Sequence, residues 1–143
     1  MLRIVGGIIL GIVIGIAAVW LIQAVGHSFF PIASIRDIQD RSEVASVIAA
    51  APPGALAFVA LAWFGGAAAG GAVAGRVARR RWAVWVVAGL ILVAAVANII
   101  MFPHPLWMQI AAFAAPLLGG LVGSRLAGDP APRTVHADQA GHA

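Results

Sequence analysis

The stretch Arg76-Val77-Ala78-Arg79-Arg80-Arg81 separates two long apolar runs of the chain. It contains four of the nine basic residues and lies between a Gly/Ala-rich run at 54–75 and a Val/Ile-rich run at 82–102. Each run is long enough, at about 1.5 Å per helical residue, to cross a hydrocarbon core of about 30 Å. Arginines at the end of a membrane span are retained on the cytoplasmic side. The predicted topology anchor therefore consists of Arg76, Arg79, Arg80 and Arg81.

The composition is typical of an integral membrane protein. Of the 143 residues, 62% are hydrophobic and only 10% are charged, whereas soluble domains contain roughly 25% charged residues. The net charge of +4 is the arginine excess expected at cytoplasmic loops, so no nucleic-acid partner is predicted. The chain has no cysteine, which excludes disulfide exchange and thiolate metal sites.

Four apolar runs predict an all-α fold, an integral membrane bundle of four transmembrane helices with a short amphipathic outer loop region. The spans are expected at about 4–25, 54–75, 82–102 and 106–126, within one transmembrane domain at 1–127 that precedes a disordered cytoplasmic tail at 128–143. A cleaved secretory signal is the alternative for the first run, but that run has 22 residues and no clear cleavage site follows it. With both termini cytoplasmic, seven of the nine arginines fall inside, which predicts a multi-pass protein of a bacterial inner membrane.

The segment between the first two spans is expected to form one or two short helices against the outer membrane surface. Isoleucines at positions 32, 35 and 38 recur at helical spacing. Ser42-Glu43 can start a further helix, with Val44, Val47 and Ile48 on its apolar side. Pro52-Pro53 is expected to end that helix. The charged residues of the segment are interpreted as a solvated face.

Small residues recur at four-residue spacing in three of the spans. The predicted helix-packing residues are Gly7, Gly11 and Gly15 in the first span, Gly66, Gly70 and Gly71 in the second, and Gly119 and Gly123 in the fourth. Residues four apart share one helix face, and small faces let two helices approach closely. These faces are expected to meet either inside the bundle or in an oligomer interface.

Few polar side chains enter the spans, and those that do gather toward the predicted outer end. The candidate ligand-binding residues are Gln23, His27, Asn98, His104, Trp107 and Gln109. One hypothesis is a small polar pocket for a ligand, an ion or a partner's segment, and a His/Met group there could in principle bind copper. The alternative is structural, with the histidines and amides hydrogen-bonded to the loop backbone. Two histidines without a carboxylate or cysteine do not make a typical metal site, so no metal and no cofactor is predicted.

Several short motifs lie at or near the ends of the spans. They are Gly26-His27 with Phe30-Pro31, Pro53-Gly54-Ala55-Leu56, Ala62-Trp63 followed by the glycine-rich stretch to Gly75, and Ala97-Asn98 leading to Met101-Phe102-Pro103-His104-Pro105-Leu106-Trp107. Together they resemble a family of small bacterial four-span membrane proteins of unknown function, over roughly residues 1–127. The resemblance implies the four-span architecture and points to His27, Asn98, His104 and Trp107, and it implies no activity.

No carboxylate lies inside a predicted span, which disfavours proton-coupled transport by a membrane-embedded acid. No phosphate-binding loop or serine–histidine–acid set is present either. The leading hypothesis is a structural or accessory membrane protein, with the lipid bilayer and a second copy or another membrane protein as its partners. The alternatives are a small transporter or channel entered at the outer polar residues, and a membrane enzyme or ligand sensor that uses His27 and His104.

Overall fold

The computed structural model describes residues 1–33, 36–37 and 39–128. All regular structure in that part of the chain is helical: α1 Leu2–Phe29, α2 Arg41–Ala50, α3 Pro53–Ala78, α4 Arg81–Met101 and α5 Leu106–Ala127. The helices α1, α3, α4 and α5 are each long and apolar enough to cross a membrane. This confirms the predicted all-α bundle with four spans. Of the predicted features, Ile35, Ile38 and the tail after Gly128 lie outside the described residues.

The helix α1 extends four residues beyond the expected end of the first span and includes His27. Gly26 permits this, because its backbone passes close to α3: a Cβ at Gly26 would lie 2.6 Å from the Cβ of Phe58. The amide of Phe30 then closes the last turn by donating to the carbonyl oxygen of Gly26 at 2.8 Å. The segment between the first two spans is therefore shorter than the sequence suggested.

The arginine stretch forms a tight corner between α3 and α4. The helix α3 continues through Arg76 to Ala78, and Arg79 then adopts a left-handed conformation with φ 52° and ψ 38°. The amide of Arg80 donates to the carbonyl oxygen of Gly75 at 3.2 Å, which is a common way to satisfy the last carbonyls of a helix. Because the connection is so short, α4 must return antiparallel to α3.

The helix α3 is the centre of the bundle. It contacts α1, α4 and α5, and α4 contacts α1 and α5, whereas the described residues of α1 and α5 make no contact with each other. The buried residues of α3 from Ala62 to Ala78 are, apart from Trp63, alanines and glycines. A helix surrounded by three others accommodates mainly small side chains if its neighbours are to approach closely.

The ends of the four long helices lie at two common levels. Gly7 near the start of α1 approaches Ala78 at the end of α3, and Gly75 approaches Ala127 at the end of α5. The side chain of Arg3 donates through Nε to the carbonyl oxygen of Val77 at 2.9 Å. We call this level the arginine end. The opposite level, the loop end, holds the end of α1, α2, the start of α3 and the α4–α5 turn.

Candidate functional site

Carboxylates hold the backbone of the loop end. Asp40 caps α2: its Oδ1 accepts from the backbone amides of Ser42 at 2.9 Å and Glu43 at 3.2 Å, and from the Ser42 hydroxyl at 2.6 Å. The carboxylate of Glu43 accepts from the amides of Arg36 at 2.8 Å and Asp37 at 3.2 Å. The helix α2 thus begins one residue before the Ser42-Glu43 pair, because the aspartate supplies the capping oxygen.

The same hydrogen bonds determine the protonation of Asp40. The Ser42 hydroxyl, followed by the backbone amides of Glu43 and Ser42, lowers the pKa of the Asp40 carboxyl below its usual value, because all three stabilise the charged form. The cap therefore stays ionised and keeps its acceptor oxygen under ordinary conditions. The charged segment is exposed, yet its carboxylates are ordered by the backbone they hold.

Two of the six candidate ligand residues are joined within the α4–α5 turn. The Nδ1 of His104 lies 2.9 Å from the carbonyl oxygen of Phe102, so the tautomer with its proton on Nδ1 donates to that oxygen. The Nε2 of Gln109 donates to the carbonyl oxygen of His104 at 3.0 Å. The Phe102 and His104 rings also meet edge to face, with their centroids 6.4 Å apart. Both polar side chains are therefore engaged with the backbone of the turn.

Asn98 and Trp107 flank this turn without joining it. The Oδ1 of Asn98 is buried and has no hydrogen-bond partner in the described part of the chain. Trp107 lies in the first turn of α5 and is 43% exposed. The next residue, Met108, is fully buried in a cluster with Leu56, Trp63, Ala95 and Ala112. An unpaired buried oxygen is costly, which distinguishes Asn98 from the other candidates.

The remaining candidates, Gln23 and His27, lie on α1. Both are exposed and, four residues apart, they share one side of the helix. Trp107 and Gln109 lie on α5, and α1 and α5 make no contact in the described structure. The helices α3 and α4 therefore separate Gln23 and His27 from Trp107 and Gln109. The described structure therefore shows one joined pair in the turn and another pair along α1, with no contact that unites the six.

All eight glycines predicted for helix packing lie where two helices of this chain meet. A Cβ at Gly70 would lie 2.5 Å from the carbonyl oxygen of Gly11 and 2.8 Å from the Cα of Gly15. On α5, a Cβ at Gly123 would lie 2.9 Å from the carbonyl oxygen of Ala68, and one at Gly119 would collide with the carbonyl oxygen of Phe64. The other five make similar approaches: Gly7 to Ala78, Gly11 to Ala74, Gly15 and Gly66 to each other, and Gly71 to Val84. These glycine faces are occupied within a single chain.

A cavity of about 350 Å³ lies at the loop end, between α2 and the end of α4. Its lining residues are Arg41, Val44 and Ala45 from α2 and the run from Ile99 to Pro103. The sequence places Arg41 in a solvated face and contains no sign of the cavity. The one relevant signal is the apolar side of α2, and Val44 on that side is only 2% exposed.

The fold and the loop end define a small multi-pass membrane protein. Within the described ranges, no three His, Asp or Glu side chains come together as a ligand set for a metal ion. Comparison of the chain with known protein families, curated proteins and solved structures finds no match. The four helices that are long and apolar enough to cross a membrane are compatible with a small membrane protein, and no match identifies its family.

Proposed function

We propose that this protein is a structural or accessory component of a membrane. It acts through the outward-facing side chains of its helical bundle on a second copy of itself or on another membrane protein. The observation that carries the proposal is the composition of the interior. In the described part of the chain, Ser124 is the only buried polar or charged residue, and the other buried residues are apolar or glycine. A bundle with this interior presents its distinctive surfaces outward.

The helix α1 is the element best placed for such contacts. Only 17% of the residues in an 18-residue apolar segment of α1 are buried within the chain, compared with 50% in the corresponding segment of α3. Its glycine face packs on α3, while Val5, Ile9, Val13 and Trp20 point outward with 55% to 75% of their surface exposed. Because the glycine motifs are occupied within the chain, association of two copies would use these larger apolar side chains.

Cross-linking in native membranes tests this proposal. The chain has no cysteine, so Val13→Cys and Trp20→Cys each introduce a single reporter on the outward face of α1. We expect a disulfide or bismaleimide product with a second copy or with a co-extracted membrane protein. Ser46→Cys on α2 is the control, because it lies outside the spans. A protein that is monomeric in mild detergent, with no cross-link from α1 and no copurifying partner, would contradict the proposal.

The proposed location is a bacterial inner membrane, with the arginine end and both termini in the cytoplasm. The charge distribution supports it: Arg3, Arg76, Arg79, Arg80, Arg81 and Arg125 belong to the arginine end, while Arg36 and Arg41 accompany three acidic residues at the loop end. Arginine is retained on the cytoplasmic side of bacterial spans. An impermeant maleimide should label Ser46→Cys from outside intact spheroplasts, and a C-terminal fluorescent protein should fold and fluoresce. Labelling of Ser46→Cys only after lysis would reverse the topology.

A small transporter or channel is the second candidate, favoured by the unpaired buried Oδ1 of Asn98. An acceptor without a partner is expected where a water or a substrate can supply the missing hydrogen bond. The test is impermeant thiol labelling of Asn98→Cys and Gln109→Cys. Labelling of Asn98→Cys from the loop end would support an aqueous path, and protection of both positions would argue against one.

A further inference from the structure

The cavity between α2 and the end of α4 is a groove with one charged residue at an apolar wall. Val44 and Ala45 form the α2 side, and the run from Ile99 to Pro103 forms the other. Ile100 and Met101 are 74% and 63% exposed, so the groove opens to the outside of the bundle. We propose that it binds one glycerophospholipid of the surrounding membrane, with an acyl chain along the apolar wall and the phosphodiester on Arg41.

The depth of the groove agrees with this occupant. The helix α4 has 21 residues and ends at Met101, which corresponds to a length of about 31 Å. That length is close to the thickness of a hydrocarbon core, about 30 Å. The last turn of α4 lines the groove, so the groove lies where acyl chains give way to headgroups. A phosphate at this level would be within reach of the first residue of α2.

Among the described residues, the hydrogen bonds near Arg41 do not use its guanidinium. Its acidic neighbours are occupied, since Asp40 accepts from Ser42 and the carboxylate of Glu43 accepts from the amide of Arg36. A guanidinium offers five N–H donors in a planar fork that fits two phosphate oxygens.

The chemistry of the groove also discriminates among occupants. An apolar helix from another protein would cover the wall at Ile100 but would leave the Arg41 guanidinium without an acceptor, which is costly if it is buried. A free phosphate would pair with Arg41 and gain nothing from the apolar wall. A phospholipid satisfies both parts, because it combines a phosphodiester with a long hydrocarbon chain, and the bilayer supplies it at high concentration.

Native mass spectrometry of the purified full chain tests the proposal. The protein is delipidated in mild detergent and titrated with phosphatidylethanolamine or phosphatidylglycerol, and the population with one lipid bound is measured. Arg41→Gln should weaken that first binding event about tenfold or more, as expected when a charge-assisted hydrogen bond is lost. Arg36→Gln is the matched control, because Arg36 is exposed in the same segment, lies outside the groove and keeps its backbone amide.

A second pair of variants tests the apolar part. Ala45→Phe fills the groove and should abolish the first binding event, whereas Ala50→Phe, on the same helix but outside the groove lining, should leave it unchanged. Arg41 is exposed in the first turn of α2, so the Arg41→Gln comparison stands even if Ala45→Phe does not fold. Equal binding by Arg41→Gln and Arg36→Gln would overturn the proposal. Equally tight binding of a phosphate-free diacylglycerol would do the same.

Discussion

Replacing Gly70 with alanine tests whether the closest helix contact lies inside one chain. The three nearest atoms to a Cβ at this position are backbone atoms of α1: the carbonyl oxygen of Gly11 at 2.5 Å, and the Cα and amide nitrogen of Gly15 at 2.8 and 3.0 Å. No side-chain rotation can relieve such contacts, so α1 and α3 must move apart. A single added methyl group therefore disturbs an interface along much of α1.

The magnitude follows from comparison with Gly6→Ala. A Cβ at Gly6 has nothing within 4 Å, so this variant experiences only the helix propensity gain of alanine, up to about 1 kcal/mol. Gly70→Ala has the same gain and an added overpacking cost of about 1–3 kcal/mol. The propensity gain is common to both variants and cancels in their difference. We expect the free energy of unfolding of Gly70→Ala to be lower than that of Gly6→Ala by about 1–3 kcal/mol.

The assay is equilibrium unfolding in mixed micelles with increasing sodium dodecyl sulfate, followed by tryptophan fluorescence. The chain has five tryptophans, and Trp63 in the core is only 5% exposed. Protein concentration is varied, because a contact inside one chain gives a midpoint independent of concentration. Equal midpoints for Gly70→Ala and Gly6→Ala, or a loss of oligomer in Gly70→Ala with unchanged monomer stability, would refute the assignment of this contact to a single chain.

Three further perturbations probe the loop end. Met108→Ala removes a fully buried side chain and should lower the free energy of unfolding, measured in the same titration, by about 2–5 kcal/mol. Met101 is exposed, so Met101→Ala should change that free energy by less than about 0.5 kcal/mol. Asn98→Leu replaces a buried oxygen that lacks a partner with an apolar group of similar shape, so the unfolding midpoint should stay the same or rise, and a marked fall would show that the amide has an undetected partner. The hydrogen bonds that the Asp40 carboxylate accepts lower its pKa. The Asp40 cap therefore stabilises α2 above the unfolded-state pKa, and this stabilisation is lost as the pH falls through the lower folded-state pKa. Amide exchange at Ser42 should therefore lose protection at acidic pH, whereas Asp40→Asn, which can cap without ionising, should abolish that pH dependence.

The four spans were predictable because hydropathy and length alone decide which segments can cross a membrane. The expected start of the fourth span at residue 106 coincides with the start of α5. The end of α1 was not predictable in the same way. Gly26-His27 reads as the start of a loop, and the helix continues there because Gly26 packs against Phe58 from a distant part of the chain. The capping of α2 by Asp40 was missed for a different reason, since Asp40 and Ser42 are both good capping residues.

The candidate site also combines features that the local sequence predicts with features that depend on tertiary contacts. The sequence could place His104 and Gln109 near one turn, because they are five residues apart, and the described structure joins them through the turn backbone. The sequence could not reveal that α1 and α5 make no contact. It therefore could not show that His27 lies apart from the helix that carries Gln109. The groove beside Arg41 was invisible for the same reason: its two walls come from α2 and α4, which are separated by a whole span.

The sequence by itself determined that this chain forms four membrane-length helices with its basic residues concentrated at one end, because those properties depend on local composition and on the cost of exposing backbone or charge to lipid. Only the tertiary structure decided which helix lies at the centre. Four helices, three of them with small-residue faces, can pack in several orders, and the choice depends on which faces fit at close range. Here Gly70 of α3 fits against Gly11 and Gly15 of α1. That arrangement occupies the glycine faces of α1 and α3 and leaves the large apolar side chains of α1 on the outside of the bundle.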